Sequence, residues 1–119
     1  MDINNYNFHD KILKFISVGC GENFFDEVRI LFMDEHQKFI EIICSDCMSV
    51  NMNGNGWIEG NDSVREWVIQ CAKDKINNDY MSENVKKDML YIMFNFNISN
   101  SKIEIIARDI QISSKDLII

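Results

Sequence analysis

The apolar positions of this chain alternate with polar ones over several stretches, and the clearest lies between residues 28 and 44. Val28-Arg29-Ile30-Leu31-Phe32-Met33 and Phe39-Ile40-Glu41-Ile42-Ile43-Cys44 are rich in β-branched and aromatic residues and are separated by the polar run Asp34 to Lys38. The pattern predicts a β-hairpin. With Glu35-His36-Gln37 as its loop, Val28, Ile30 and Phe32 face Cys44, Ile42 and Ile40, and one side of the hairpin is wholly apolar. A slip of one residue would bring Glu41 onto that side, so the three-residue loop sets the register. The same register places Asp26 opposite Asp46. Upstream, Ile12, Leu13, Phe15, Ile16 and Val18 fit an amphipathic helix and a strand equally well, and Gly19-Cys20-Gly21 ends that element.

Downstream, the Asn- and Gly-rich run from Asn51 to Asn61 predicts a loop. Ser63-Val64-Arg65-Glu66 has the form of a capping box, and Val64, Trp67, Val68 and Cys71 follow helical spacing. A helix is therefore expected from Ser63, stopped at Asn77-Asn78-Asp79, with Ser82 as the cap of a short second one. In the last third, Ile92, Phe94, Phe96 and Ile98 alternate with Met93, Asn95 and Asn97 as a half-buried strand. Ser99-Asn100-Ser101-Lys102 reads as a turn, and Ile103-Glu104-Ile105 begins the return strand. The apolar phase then slips to Ile106, Ile110 and Ile112, which predicts a bulge near residues 105–107. The expected class is α+β: a mainly antiparallel β-sheet built from hairpins, with one or two helices on one face. No repeat or domain boundary interrupts residues 1–119, so a single domain is expected.

Composition narrows the function classes. The chain has 119 residues, 46% of them hydrophobic, with 5 Gly and no Pro, which suits one ordinary core rather than a low-complexity chain. Its uninterrupted apolar runs are only a few residues long, too short for a membrane-crossing helix. The acidic, polar start Met1-Asp2-Ile3-Asn4-Asn5 is unlike a signal peptide, so a reducing cytoplasm is the expected setting. Twelve basic against nineteen acidic residues give a net charge of -7, which argues against a nucleic-acid backbone as direct partner and permits a basic protein, although such a balance also serves solubility alone.

The candidate chemistry is sparse. The four cysteines are Cys20, Cys44, Cys47 and Cys71, and Cys44-Ser45-Asp46-Cys47 is a lone CxxC. A structural zinc site wants four ligands, usually as two such pairs, so free thiols packed as small hydrophobes are expected. His9-Asp10 offers a base beside an orienting carboxylate for a hydrolase, against the plainer reading of a local pair bonding backbone at the start of an element. His36 falls in the hairpin loop. Asn51 to Asp62 overlays a calcium-loop template, with Gly56 at the sixth position and Ile58 at the eighth. However, Asn51 opens it instead of Asp and Asp62 closes it instead of Glu. Neither a metal nor a cofactor is expected. Acidic residues crowd between Glu22 and Asp46, and facing Asp26 and Asp46 would repel each other. Asp26, Glu27, Asp34, Glu35 and Asp46 are therefore the candidate partner-binding residues, with Trp57 as a central aromatic anchor.

Phe8-His9-Asp10-Lys11-Ile12 resembles the Phe-His-Asp-Ser-hydrophobic start of small bacterial immunity-like proteins of polymorphic and contact-dependent toxin systems. The likeness continues through Asp46-Cys47-Met48-Ser49-Val50-Asn51-Met52-Asn53, Asp62-Ser63 with Trp67, and the closing Ile103-Glu104-Ile105-Ile106-Ala107. Lys11 stands where the group carries Ser. The resemblance implies a short α+β domain that neutralises a cognate toxin domain by binding it, with no catalytic residue to carry over; charge and the short apolar runs leave nucleic acid and membrane out of the expected partners. A small metal-binding module and a hydrolase using His9 and Asp10 are the alternatives.

Overall fold

The hairpin with the apolar face forms in the expected register. In a computed structural model that describes residues 7–20, 26–53, 62–77 and 80–115, strand β2 (Asp26–Met33) pairs with β3 (Phe39–Asn53). Val28 lies opposite Cys44, Ile30 opposite Ile42 and Phe32 opposite Ile40. All six side chains are buried. Asp34 closes the loop: its carboxylate accepts from the amides of His36 and Lys38, both at 2.9 Å. Gln37 adopts φ 62, completing the reversal. The Lys38 amide, with that of His36, holds the Asp34 carboxyl below its ordinary range despite some desolvation. The segment that sequence left open is strand β1 (Ile12–Cys20), antiparallel to β2 with a bulge at Lys14.

The expected helix after Ser63 is instead strand β4 (Val64–Cys71), paired with β5 (Leu90–Phe96). The helical spacing has a structural cause. A register shift between Val64 and Glu66 inserts one extra residue, so Val64 and Trp67 both reach the main core although three residues apart. Val68 packs on the opposite face, and Cys71 is exposed. Ser63 does not cap a helix; it forms a bridge with Ile12, and its hydroxyl accepts from Asn97 Nδ2 at 2.9 Å. Helix α1 (Glu83–Asp88) is short, and Ser82 caps it as expected, accepting from the Val85 amide at 3.3 Å. Strand β6 (Lys102–Lys115) returns along β5, and Ile98, expected within the strand, sits exposed in the turn.

The sheet has six strands in the order β1-β2-β3-β6-β5-β4, each neighbouring pair antiparallel. The fold is thus mainly antiparallel sheet, with helix reduced to α1 and a single 3-10 turn at Lys73–Lys75 among the described residues. Strands β3 and β6 are long, and β2 lies along the first half of β3 while β5 lies along the first half of β6. In a flat sheet Phe32, opposite Ile40, and Phe94, opposite Ile103 and through it Met52, would be separated by about 40 Å along the strands. Their ring centroids are 4.9 Å apart. The β3–β6 pair must therefore fold back on itself.

The bend is visible in the ladder. Inward positions run Ile40, Ile42, Cys44 and then Cys47 on β3, and Ile103, Ile105, Ala107 and then Ile110, Ile112 on β6. Both phase changes occur at one level, where Ser45 faces Asp109 and Cys47 faces Ala107. Asp46 between them has φ 54, a left-handed conformation that re-aims the strand. The expected bulge is therefore present, but its extra residue, Met48, is on β3, opposite residues 106–107. Strands that turn such a corner serve both halves of a rolled sheet.

The roll is partly sealed where the outer strands meet. Leu13 N donates to Asp62 O at 2.9 Å and Val64 N to Lys11 O at 3.0 Å. Because this bridge is antiparallel, β1 and β4 leave it in opposite directions. Phe8 plugs the interior, within 5.7 Å of the Phe32 ring, 5.1 Å of Trp67 and 5.2 Å of Phe94. On the other face, Ala72, Ile76, Met89 and Tyr91 form a smaller cluster with Val68, Met81, Met93 and Ile106.

Candidate protein-binding surface

The corner that bends the sheet also gathers carboxylates. Asp26 and Glu27 open β2 beside it, Asp46 makes the kink, and Asp109 follows on β6. Asp26 lies opposite Cys47, not Asp46, because a register shift separates it from Val28. The expected face-to-face Asp pair is thus relieved by one residue of offset, which fits the cost of opposing like charges. The carboxylates nevertheless converge. The Cys47 thiol is pushed up to about 11, first by burial and then by the negative charges of Asp26, Asp46 and Glu27. Cys44 rises to about 12 through burial, with Cys47 and Asp109 adding to it. Arg29 is paired with Glu27 at 3.1 Å, whereas no ion pair holds Asp26 or Asp46 among the described residues. Asp26 is exposed and Asp46 half-buried.

The other expected partner-binding residues do not join this corner. Asp34 and Glu35 sit at the opposite end of β2, about 25 Å away by strand rise. There Asp34 is committed to its own loop, and Glu35 lies 3.5 Å from the His36 ring. Trp57 lies outside the described residues. Asp109 is the member that sequence reasoning missed, although the apolar phase slip beside it was legible.

Burial raises both the Cys44 and the Cys47 thiols, and Cys47 Sγ donates to Cys44 O at 3.4 Å. Asp62, the closing residue of the calcium-loop overlay, is fully buried and already saturated. Its carboxylate accepts from the Ser63, Ile98 and Ser99 amides at 3.0, 2.8 and 3.0 Å and from the Ser99 hydroxyl at 2.6 Å. Asn51 to Asn53 belong to β3 rather than to a loop. Among the described residues, no three His, Cys, Asp or Glu side chains gather as a metal site would require. His9 and Asp10 do touch, at 3.1 Å, but both are exposed on the turn Phe8-His9-Asp10-Lys11, which Lys11 N closes on Phe8 O. Comparison with protein-family models, with curated proteins and with solved structures finds no match.

Proposed function

We propose that this protein is a binding inhibitor: an immunity protein that occupies a cognate, basic toxin domain through the acidic corner of its sheet and performs no chemistry of its own. The observation that carries the reading is the convergence of Asp26, Glu27 and Asp46 around one buried sulfur at the bend of β3. In a chain of net charge -7, such a corner attracts cationic surfaces and accelerates their docking. The resemblance of the Phe8-His9-Asp10 start to immunity-like proteins points the same way, as does an expected cytoplasmic setting. Asp34 and Glu35 are too far away to share one small contact with the corner, so they belong to the rim of the field rather than to its centre.

The test is protection. Cells expressing the toxic protein encoded beside this gene are expected to survive with the wild-type chain. They are expected to lose most of that protection with the triple variant Asp26→Asn, Glu27→Gln, Asp46→Asn. Full protection by the triple variant would move the interface elsewhere. Absence of protection by the wild type would end the inhibitor reading.

A further inference from the structure

Among the described residues, rolling the sheet leaves two strand edges open beyond the Ile12–Ser63 bridge, and they differ. Natural sheets blunt such edges with charge, bulges and short strands, because an open edge is a template for another strand. The β4 edge is blunted: it carries the register shift beside Arg65, with Arg65, Glu66 and Gln70 exposed along it. The β1 edge is not. After the bulge at Lys14 it runs Phe15-Ile16-Ser17-Val18-Gly19 without a charge, with Phe15 55% and Val18 49% exposed. Among the described residues, only Ile12 and Leu13 of β1 meet a strand on that outer side.

We propose that β1 pairs antiparallel with β1 of a second copy of this chain, about a two-fold axis through Ser17. A second copy is the occupant that the charges favour. Centred on Ser17, the pairing sets Phe15 against Gly19 of the second copy and Ile16 against Val18, a self-complementary ladder of uncharged residues. It also sets the basic end of each β1 beside the acidic corner of the other molecule. Lys14 falls opposite Cys20 of the second copy, and Asp26 is the β2 neighbour of Cys20. Two strand spacings, about 10 Å between backbones, then separate Lys14 from Asp26 of the other molecule. Both side chains are exposed and extend toward solvent, and the two-fold axis makes the contact twice. Phe15 gains a place too. A Cβ built at Gly19 meets nothing within 4 Å, so the surface above it is open to receive a ring. The ladder is short, so the dimer is weak and concentration-dependent.

The proposal stands apart from the inhibitor reading, because it concerns the full chain alone. Sedimentation of the wild type up to the concentrations of an NMR sample is expected to show a monomer–dimer equilibrium that weakens with salt. Lys14→Glu and Asp26→Lys are each expected to weaken it at least tenfold, and the double variant to restore it, while circular dichroism shows all three folded. Ser17→Cys under mild oxidant is expected to give a dimer linked through residue 17 of both copies, identified by peptide mapping. A wild type that stays monomeric overturns the proposal. So does a dimer indifferent to either single swap, or one whose cross-link avoids residue 17.

Discussion

Asp62 shows how one residue can look like a ligand in sequence and be a joint in structure. Read along the chain it closes an Asn- and Gly-rich loop. In the fold it ties the seam between β1 and β4 to the turn that joins β5 and β6. Its carboxyl is subject first to burial, which raises its pKa. The hydrogen bonds from Ser99, Ile98 and Ser63 outweigh that and hold it below the ordinary carboxylate value. A carboxyl with a depressed folded-state pKa contributes stability that is complete above the unfolded value, near 4, and is lost as pH falls through the folded value. Asp62→Ala is expected to cost about 3 kcal/mol at neutral pH, since it strands buried donors. Denaturant titrations should show that cost shrinking as pH falls below about 4. A cost independent of pH would show that the carboxylate charge plays no part. The Phe8-His9-Asp10 start is a similar case. Phe8 is fully buried, and Asp10 takes φ 63, so the motif is accounted for as a turn that seats a core ring.

At the scale of elements, sequence was most informative where local pattern and tertiary burial agree. The β2–β3 hairpin was legible to the residue because any slip would bury Glu41. The β5–β6 hairpin was legible in outline, from the alternation of Ile92, Phe94 and Phe96 and the return at Ile103-Glu104-Ile105, but Ile98 falls in the turn and not in the strand. The helix expected from Ser63 to a stop at Asn77 failed because a bulged strand and an amphipathic helix can share an i, i+3 apolar spacing. Only the pairing partner, Phe94 opposite Trp67, separates them. Two substitutions test the hairpin. Ile30→Asp, at a fully buried position, is expected to cost about 4 kcal/mol or more or to unfold the chain, whereas Leu31→Asp on the half-buried outer face should cost about 1–2 kcal/mol. Equal, small losses in thermal unfolding would contradict the register. The corner is tested at Asp46. Asp46→Gly should remain within about 1 kcal/mol of wild type, because glycine accepts φ 54 freely. Asp46→Val should lose about 1–2 kcal/mol. If valine were the better tolerated of the two, the kink would not be left-handed.

For the whole molecule, the bend in β3 and β6 ties the core to the acidic corner. It brings Phe32 and Phe94 into one core, and Asp26, Glu27, Asp46 and Asp109 lie at the same level of the sheet. Sequence showed the acidic excess between Glu22 and Asp46 but not its division, since a strand pattern records which face a residue takes and not which end of the molecule it reaches. The most direct measurement is the association rate between this protein and a basic toxin domain against which it protects cells, followed by stopped-flow over a range of ionic strength. Fast association is expected, slowing steeply as salt shortens the screening length toward about 8 Å. A slower, flatter dependence is expected for the Asp26→Asn, Glu27→Gln, Asp46→Asn variant. Identical rates and identical salt slopes for the two proteins would contradict docking through the acidic corner.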